Sequence, residues 1–217
     1  MKKKGVIISI CLVILCIAFT LIVKYVDVSP IGPNDSSVGL SALNKFFHEL
    51  IGVNMGFYTF TNIMGAFPII MVLAYVVVGV VQLVKRKSLL KVDKELFVLA
   101  GLYVAVLCIY VLFEKVTINF RPTLIDGELE ASYPSSHTLL SLCICGSTII
   151  YNKFMYSRIK ITKYENIVAF VSLLLILFGR IVSGVHWFSD ILGGMIISIT
   201  LIYIFANVLT YVQNKKV

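Results

Sequence analysis

A small group of residues in this 217-residue chain has the types and spacing that phosphoryl chemistry needs. His186 and Asp190 are spaced i, i+4. If one helix runs through both, they stack on one face, the carboxylate accepts the Nδ1 proton, and Nε2 is left as a nucleophile or base. Pro134, Ser135 and Ser136 stand directly before an apolar run and have the composition of a helix start, whose free N–H groups and positive dipole end bind anions. Arg121 and Arg180 can grip phosphate oxygens bidentately. Together with His137, these groups describe a phosphoryl-transfer site. The histidines and the carboxylate could instead ligate zinc. Arg121, Arg180 and Lys115 would repel a bare cation, whereas they suit an anion.

The elements that must hold these residues are membrane helices. The chain is 59% hydrophobic and 14% charged, with a mean hydropathy of +0.97; a soluble domain carries roughly 25% charged residues. At about 20 apolar residues per crossing, the composition predicts an all-α polytopic membrane protein of six spans and leaves no room for a soluble domain. The spans are predicted at about 6–26, 57–84, 95–115, 137–155, 166–185 and 187–212, all in one domain covering 1–217. The first follows Lys2, Lys3 and Lys4, is longer than a signal-peptide core and lacks a small-residue cleavage site, so it reads as a retained helix. The net charge of +8 is not arranged as a nucleic-acid surface, since no basic stripe is interleaved with aromatics. The five cysteines sit inside apolar runs without zinc-ligand spacing and read as packing residues.

Fourteen of the 19 Lys and Arg residues fall at one side of the spans: Lys2 to Lys4, Lys85 to Lys94, Lys153 to Lys163, and Lys215 with Lys216. The positive-inside rule then places both termini in the cytoplasm. Lys24, Lys45, Lys115, Arg121 and Arg180 remain near the opposite face. Between the first two spans, Leu40, Leu43, Phe46, Phe47, Leu50 and Ile51 recur at helical spacing after a turn-rich stretch, predicting an outer interfacial amphipathic helix. Arg180 falls about 20 Å along the fifth span from its inner end, at 1.5 Å per residue, and Asp190 lies at a similar level. An intramembrane charge costs roughly 2.5–3.5 kcal/mol on insertion scales, so both should face a shared polar cavity.

Three segments make the sequence resemble the type 2 phosphatidic acid phosphatase superfamily: Glu114-Lys115-Val-Thr-Ile-Asn-Phe-Arg121-Pro122, Pro134-Ser135-Ser136-His137, and Gly179-Arg180 with His186 and Asp190 at the family spacing. The resemblance implies a lipid phosphatase in the cell membrane, with its active site facing outside and no metal or other cofactor. It implies that His186 attacks phosphorus to form a phosphohistidine, that Asp190 holds its tautomer, and that His137 protonates the leaving oxygen and then activates water. Arg121, Arg180, Lys115 and the amides around Ser135 and Ser136 would bind the substrate phosphate. Three departures stand out: Glu114 where the family has lysine, Ser136 for glycine, and Gly179 for serine. Lys115 could swing in to replace the missing lysine, or Glu114 could pair with Arg121.

The implied substrates are polyprenyl diphosphate (undecaprenyl diphosphate), phosphatidylglycerophosphate or phosphatidic acid. Rival readings are a catalytically weakened member that binds or senses lipid diphosphates, suggested by Glu114, and an anion transporter. The sequence carries no sign of oligomeric state. Elsewhere the simplest readings are a surface histidine at His48, an aromatic belt at Tyr58, Tyr133, Trp187 and Phe188, solvated carboxylates at Glu128 and Glu130, and close helix packing at Gly193 and Gly194.

Overall fold

The structure, a computed structural model, describes residues 3–215; Lys2 and Lys216, counted above among the basic residues, lie outside the described residues. Helix α1 (Lys3–Tyr25) is followed by a short α2 (Ser41–Ile51), then α3 (Met55–Met64), α4 (Ala66–Arg86), α5 (Lys94–Lys115), α6 (Ser136–Met155), α7 (Lys160–Ser183) and α8 (Phe188–Asn214). Among the described residues, six units are long and apolar enough to cross a membrane: α1, α3 with α4, α5, α6, α7 and α8. This is the expected all-α plan, with the short helix α2 between the first two spans.

Two spans differ from expectation. The second is broken, because Pro68 near the start of α4 has no N–H and its ring excludes the carbonyl of residue 64 from a helical position, so the chain restarts after Gly65. The fifth begins at Lys160, not near 166; Thr162 Oγ1 donates to the Ile159 and Tyr156 carbonyls and fixes its first turn.

Helix α6 is the hub and packs against α4, α5, α7 and α8. Leu99, Val106, Leu139, Cys143, Ile197 and Leu209 form the core around it. Buried Ser141, Ser147 and Thr148 on α6 are small, which lets neighbouring backbones approach where lipid supplies no hydrophobic drive. The outward faces of α1 and α4 expose Ile7, Ile14, Ile69, Val77 and Val84, side chains suited to hydrocarbon.

The α1–α2 connection is tied down by Asp27, whose carboxylate accepts from Ser41 Oγ (2.9 Å) and Ala42 N (2.8 Å) and so caps α2. Between α5 and α6 the chain makes a hairpin. Ile125 and Glu128 exchange both backbone hydrogen bonds (3.1 and 2.9 Å) around Asp126 and Gly127, both at positive φ, the Asp-Gly geometry that reverses a β-ribbon. Above the turn, Arg121 N donates to Glu130 O (3.0 Å) and Ser132 N to Asn119 O (2.9 Å). The hairpin lies at the same end of the bundle as the C-terminus of α7 and the N-termini of α6 and α8.

Candidate active site

His186 lies between α7 and α8. Gly184 ends α7 in the left-handed region, φ 62°, and a Cβ there would sit 1.8 Å from the Gly52 carbonyl, so only glycine lets the chain turn this close to the α2–α3 connection. Helix α8 starts at Phe188, beyond His186. The expected stacking of His186 on Asp190 is therefore corrected: Nδ1 of His186 is 3.9 Å from Asp190 Oδ2 and donates instead to the Ser132 carbonyl at 3.1 Å. Asp190 occupies the third helical position of α8, accepting the Trp187 N–H on Oδ2 (3.0 Å) and Asn119 Nδ2 on Oδ1 (3.2 Å). This is one half of a capping box; the Trp187 indole is a donor only and goes to the Phe120 carbonyl (2.6 Å).

The tautomer of His186 follows from its partners. A carbonyl can only accept, so Nδ1 carries the proton; a guanidinium can only donate, so Nε2, 3.2 Å from Arg121 Nη1, presents its lone pair. Burial holds the ring well below the usual histidine pKa, and the positive fields of Arg121, Arg180 and His137 lower it further. A neutral imidazole with a bare Nε2 is the nucleophilic form.

Arg121 reaches this nitrogen from the hairpin. Its Nε lies 2.9 Å from Glu130 Oε2, an ion pair by distance whose alignment does not make a hydrogen bond. Glu130 is thus paired and not simply solvated, and it takes the position that Glu114 was expected to contest. Glu114 lines a small cavity of about 20 Å³ with Arg121, Ser132, Ser136 and His186, whereas Lys115 is exposed and does not line it. Residue 114 borders this cavity at the end of α5 although it too is exposed, and residue 115 does not border it.

Arg180 is fully buried. Its Nη2 donates to Asn62 Oδ1, and its guanidinium lies 5.1 Å from the Tyr58 ring centroid, a cation–π contact. Nε and Nη1 have no partner. Two buried donors without an acceptor are costly unless something fills the gap. His137, in the first turn of α6, faces the break in the second span, where a Cβ on Gly65 would lie 3.4 Å from Nε2.

Ser135 is buried and its N–H donates to the Asp190 carbonyl (3.0 Å), so of the two serines it is Ser136 that borders the cavity. Arg121, Ser136 and His186 are therefore brought together at one cavity. His137 and Arg180 meet at the break in the second span, His137 beside Gly65 and Arg180 on Asn62, Asp190 stands behind the loop, and Lys115 is left outside.

Sequence reasoning missed Asn62, Ser132 and the pairing role of Glu130, and two aromatics expected in a belt are not placed there. Trp187 and Tyr133 are buried, and Tyr58 sits beneath Arg180. His48 is half-buried, its ring centroid 5.3 Å from that of Trp187. The close packing expected of Gly193 is present, since a Cβ there would lie 2.3 Å from the Tyr133 ring.

Three comparisons bear on this arrangement. The sequence model of the PAP2 superfamily matches residues 103–214. Lipid phosphate phosphatase delta of Arabidopsis thaliana is 32% identical over 85 residues, a stretch that spans 38% of this chain and 20% of that protein. Among solved structures, the transmembrane PAP2 type phosphatidylglycerolphosphate phosphatase from Bacillus subtilis superposes with a TM-score of 0.56 at 15% identity, over 92% of this chain and 94% of that one, a likeness of fold.

Proposed function

The chain belongs to the PAP2 superfamily, and from that premise we propose that it is a lipid phosphate phosphatase working through a phosphohistidine on His186. The observation that carries this reading is the pair of unpartnered buried donors on Arg180, in the same field as a neutral imidazole whose Nε2 lone pair is already turned toward Arg121. An anion completes both. Phe113 borders the small cavity beside His186 and also an apolar cleft of about 290 Å³ between α1, α5 and α8, which favours a phosphate carried on a hydrocarbon chain over a soluble ester.

In the proposed cycle the substrate phosphate takes Arg121 from Glu130 and fills the open donors of Arg180. The cavity of about 20 Å³ has room for about one water, so a phosphate fits only when the site opens, and Glu130, the more exposed partner of Arg121, frees that guanidinium by turning out toward solvent. Nε2 of His186 attacks phosphorus in line as the bond to the leaving oxygen breaks, and His137 supplies that oxygen's proton. The Ser132 carbonyl keeps the proton on Nδ1, and the imidazolium character that develops is balanced by Asp190 at 3.9 Å. His137 then takes a proton from water, which attacks phosphorus and breaks the N–P bond. Two guanidiniums meet the charge of the transition state, and no step calls for a metal. By the charge asymmetry, the site faces the outer side and the termini the cytoplasm. Polyprenyl diphosphate, phosphatidylglycerophosphate and phosphatidic acid are the substrate classes proposed.

His186→Ala, purified in detergent and folded by circular dichroism, should release no phosphate from any of these lipids. Wild-type turnover should persist in excess chelator and be inhibited by orthovanadate. An active His186→Ala enzyme overturns the mechanism. One observation favours the second reading, a lipid-diphosphate binder with weakened catalysis: Glu114 lines the cavity where a cation would serve phosphate. A silent wild type revived by Glu114→Lys would select that reading.

A further inference from the structure

At the opposite end of the bundle, α6 ends at Met155 and α7 starts at Lys160, and a cavity of about 700 Å³ opens between the two helices. Its polar wall carries Lys153, Arg158, Lys160 and Lys163, and no carboxylate. Below these, Ile149, Ile167 and Phe170 continue the wall along the outside of the helices. Ile167 and Phe170 are more than half exposed, so the cleft opens sideways as well as at its mouth.

The wall is rigidly built. Asn152, buried at the end of α6, donates to Glu165 Oε2 and to Asn166 Oδ1, both at 3.0 Å, and accepts from Tyr75 Oη at 3.1 Å. The acidic side chain of this part of α7, Glu165, is thereby engaged by Asn152 and is not part of the wall. Thr162 Oγ1 closes the turn on the Ile159 carbonyl (2.7 Å), which aims the start of α7, with its positive dipole end, at the mouth of the cleft. From Lys160 to Phe170 the helix rises about 15 Å, half the thickness of a hydrocarbon core. The cleft therefore runs from headgroup level into the acyl region, basic where a phosphate would lie and apolar where a chain would follow.

We propose that this cleft binds an anionic phospholipid, its headgroup phosphate among Lys153, Arg158, Lys160 and Lys163 and an acyl chain along Ile149, Ile167 and Phe170. Positive-inside sorting accounts for basic residues at this end, but it asks neither for a cleft with cations on both sides nor for an apolar floor beneath them. Each cation near an anionic lipid surface contributes about fivefold in affinity. The bound lipid bridges α6 to α7, the helices that carry His137 and Arg180 at their other ends.

The test is thermal unfolding of the detergent-purified full chain, titrated with dioctanoyl phosphatidylglycerol, dioctanoyl phosphatidylcholine or glycerol 1-phosphate. Binding to the folded state stabilises it by RT ln(1 + L/Kd), with L the free ligand concentration, so the melting temperature begins to rise once that concentration passes Kd. The phosphatidylglycerol titration should raise it at much lower concentration than either other probe. The triple variant Arg158→Gln, Lys160→Gln, Lys163→Gln should weaken that response about 100-fold, and Lys153→Gln alone about fivefold, while Arg121→Gln should leave it in place. Equal responses to the two lipids overturn the proposal. So does a response lost in Arg121→Gln and kept in the triple variant, which would place the lipid at the other end, and so does glycerol 1-phosphate binding as tightly as phosphatidylglycerol.

Discussion

Replacing Glu130 by Gln tests whether a carboxylate stands in for the substrate phosphate. The substitution removes the charge 2.9 Å from Arg121 Nε and keeps the side chain's size and hairpin position. The Arg121 side chain is 11% exposed and that of Glu130 44%, so the pair lies between two regimes. Unit charges 4 Å apart at an effective dielectric of 20 attract by about 4 kcal/mol, whereas exposed pairs measure about 0.2–1 kcal/mol. Half exposure puts this pair at about 1–2 kcal/mol, which an incoming phosphate must overcome, or a factor of about 5–30 in affinity. Glu130→Gln should lower KM for a short-chain lipid phosphate by that factor. The inhibition constant of orthovanadate should fall by the same factor, because both anions displace the same group. Steady-state phosphate release with vanadate competition measures both. Unchanged KM and vanadate affinity would refute the placeholder argument, and a collapse of kcat would show that Glu130 positions Arg121 for the chemistry.

Two further outcomes follow from particular contacts. Because burial lowers the proton affinity of His186 in the folded state, the unfolded chain takes up that proton first as pH falls past about 6.5. The stability this group contributes is present above that pH and lost below it, at up to about 1.4 kcal/mol per pH unit; the melting temperature should drop more shallowly with acid in His186→Gln than in wild type. Gly179 stands where the family has serine, and a Cβ there would lie 2.4 Å from Thr61 Cγ2. Thr61 is fully buried, with its hydroxyl bonded to the Phe57 and Tyr58 carbonyls. Gly179→Ser should therefore destabilise the protein by about 1–3 kcal/mol, and Thr61→Ser, which deletes that methyl, should recover most of the loss in the double variant; an unchanged melting temperature in Gly179→Ser contradicts the packing.

The spans were legible because hydropathy over 20 residues integrates many weak preferences, and the three polar segments were legible because charges are rare at those depths. Local backbone geometry was harder to read. The i, i+4 spacing of His186 and Asp190 suggested one helix through both, but Asp190 accepts the Trp187 N–H and holds the start of α8 at Phe188, and a tryptophan at the N-cap gives no capping signature to read. Asp126-Gly127, by contrast, announced the hairpin that sets Glu130 opposite Arg121. Asn62 and Tyr58 could not be found this way. They reach Arg180 from α3, 118 residues away in sequence for Asn62, and only the packing of α3 on α7 brings them there.

The hairpin that carries Arg121 also sets how fast the site can open. Arg121 and Glu130 are cross-strand neighbours joined through their backbones, and Ser132 on the same ribbon holds His186. A swing of the whole ribbon would carry anion and cation away together and release the imidazole. Separation of the pair is left to rotation about the side-chain bonds of Glu130, a motion of picoseconds to nanoseconds for an exposed group. Against typical turnover of about 1–1,000 per second, a gate of the kind proposed would be at equilibrium throughout the cycle, and it would act on how much substrate is bound, never on how quickly the site admits it.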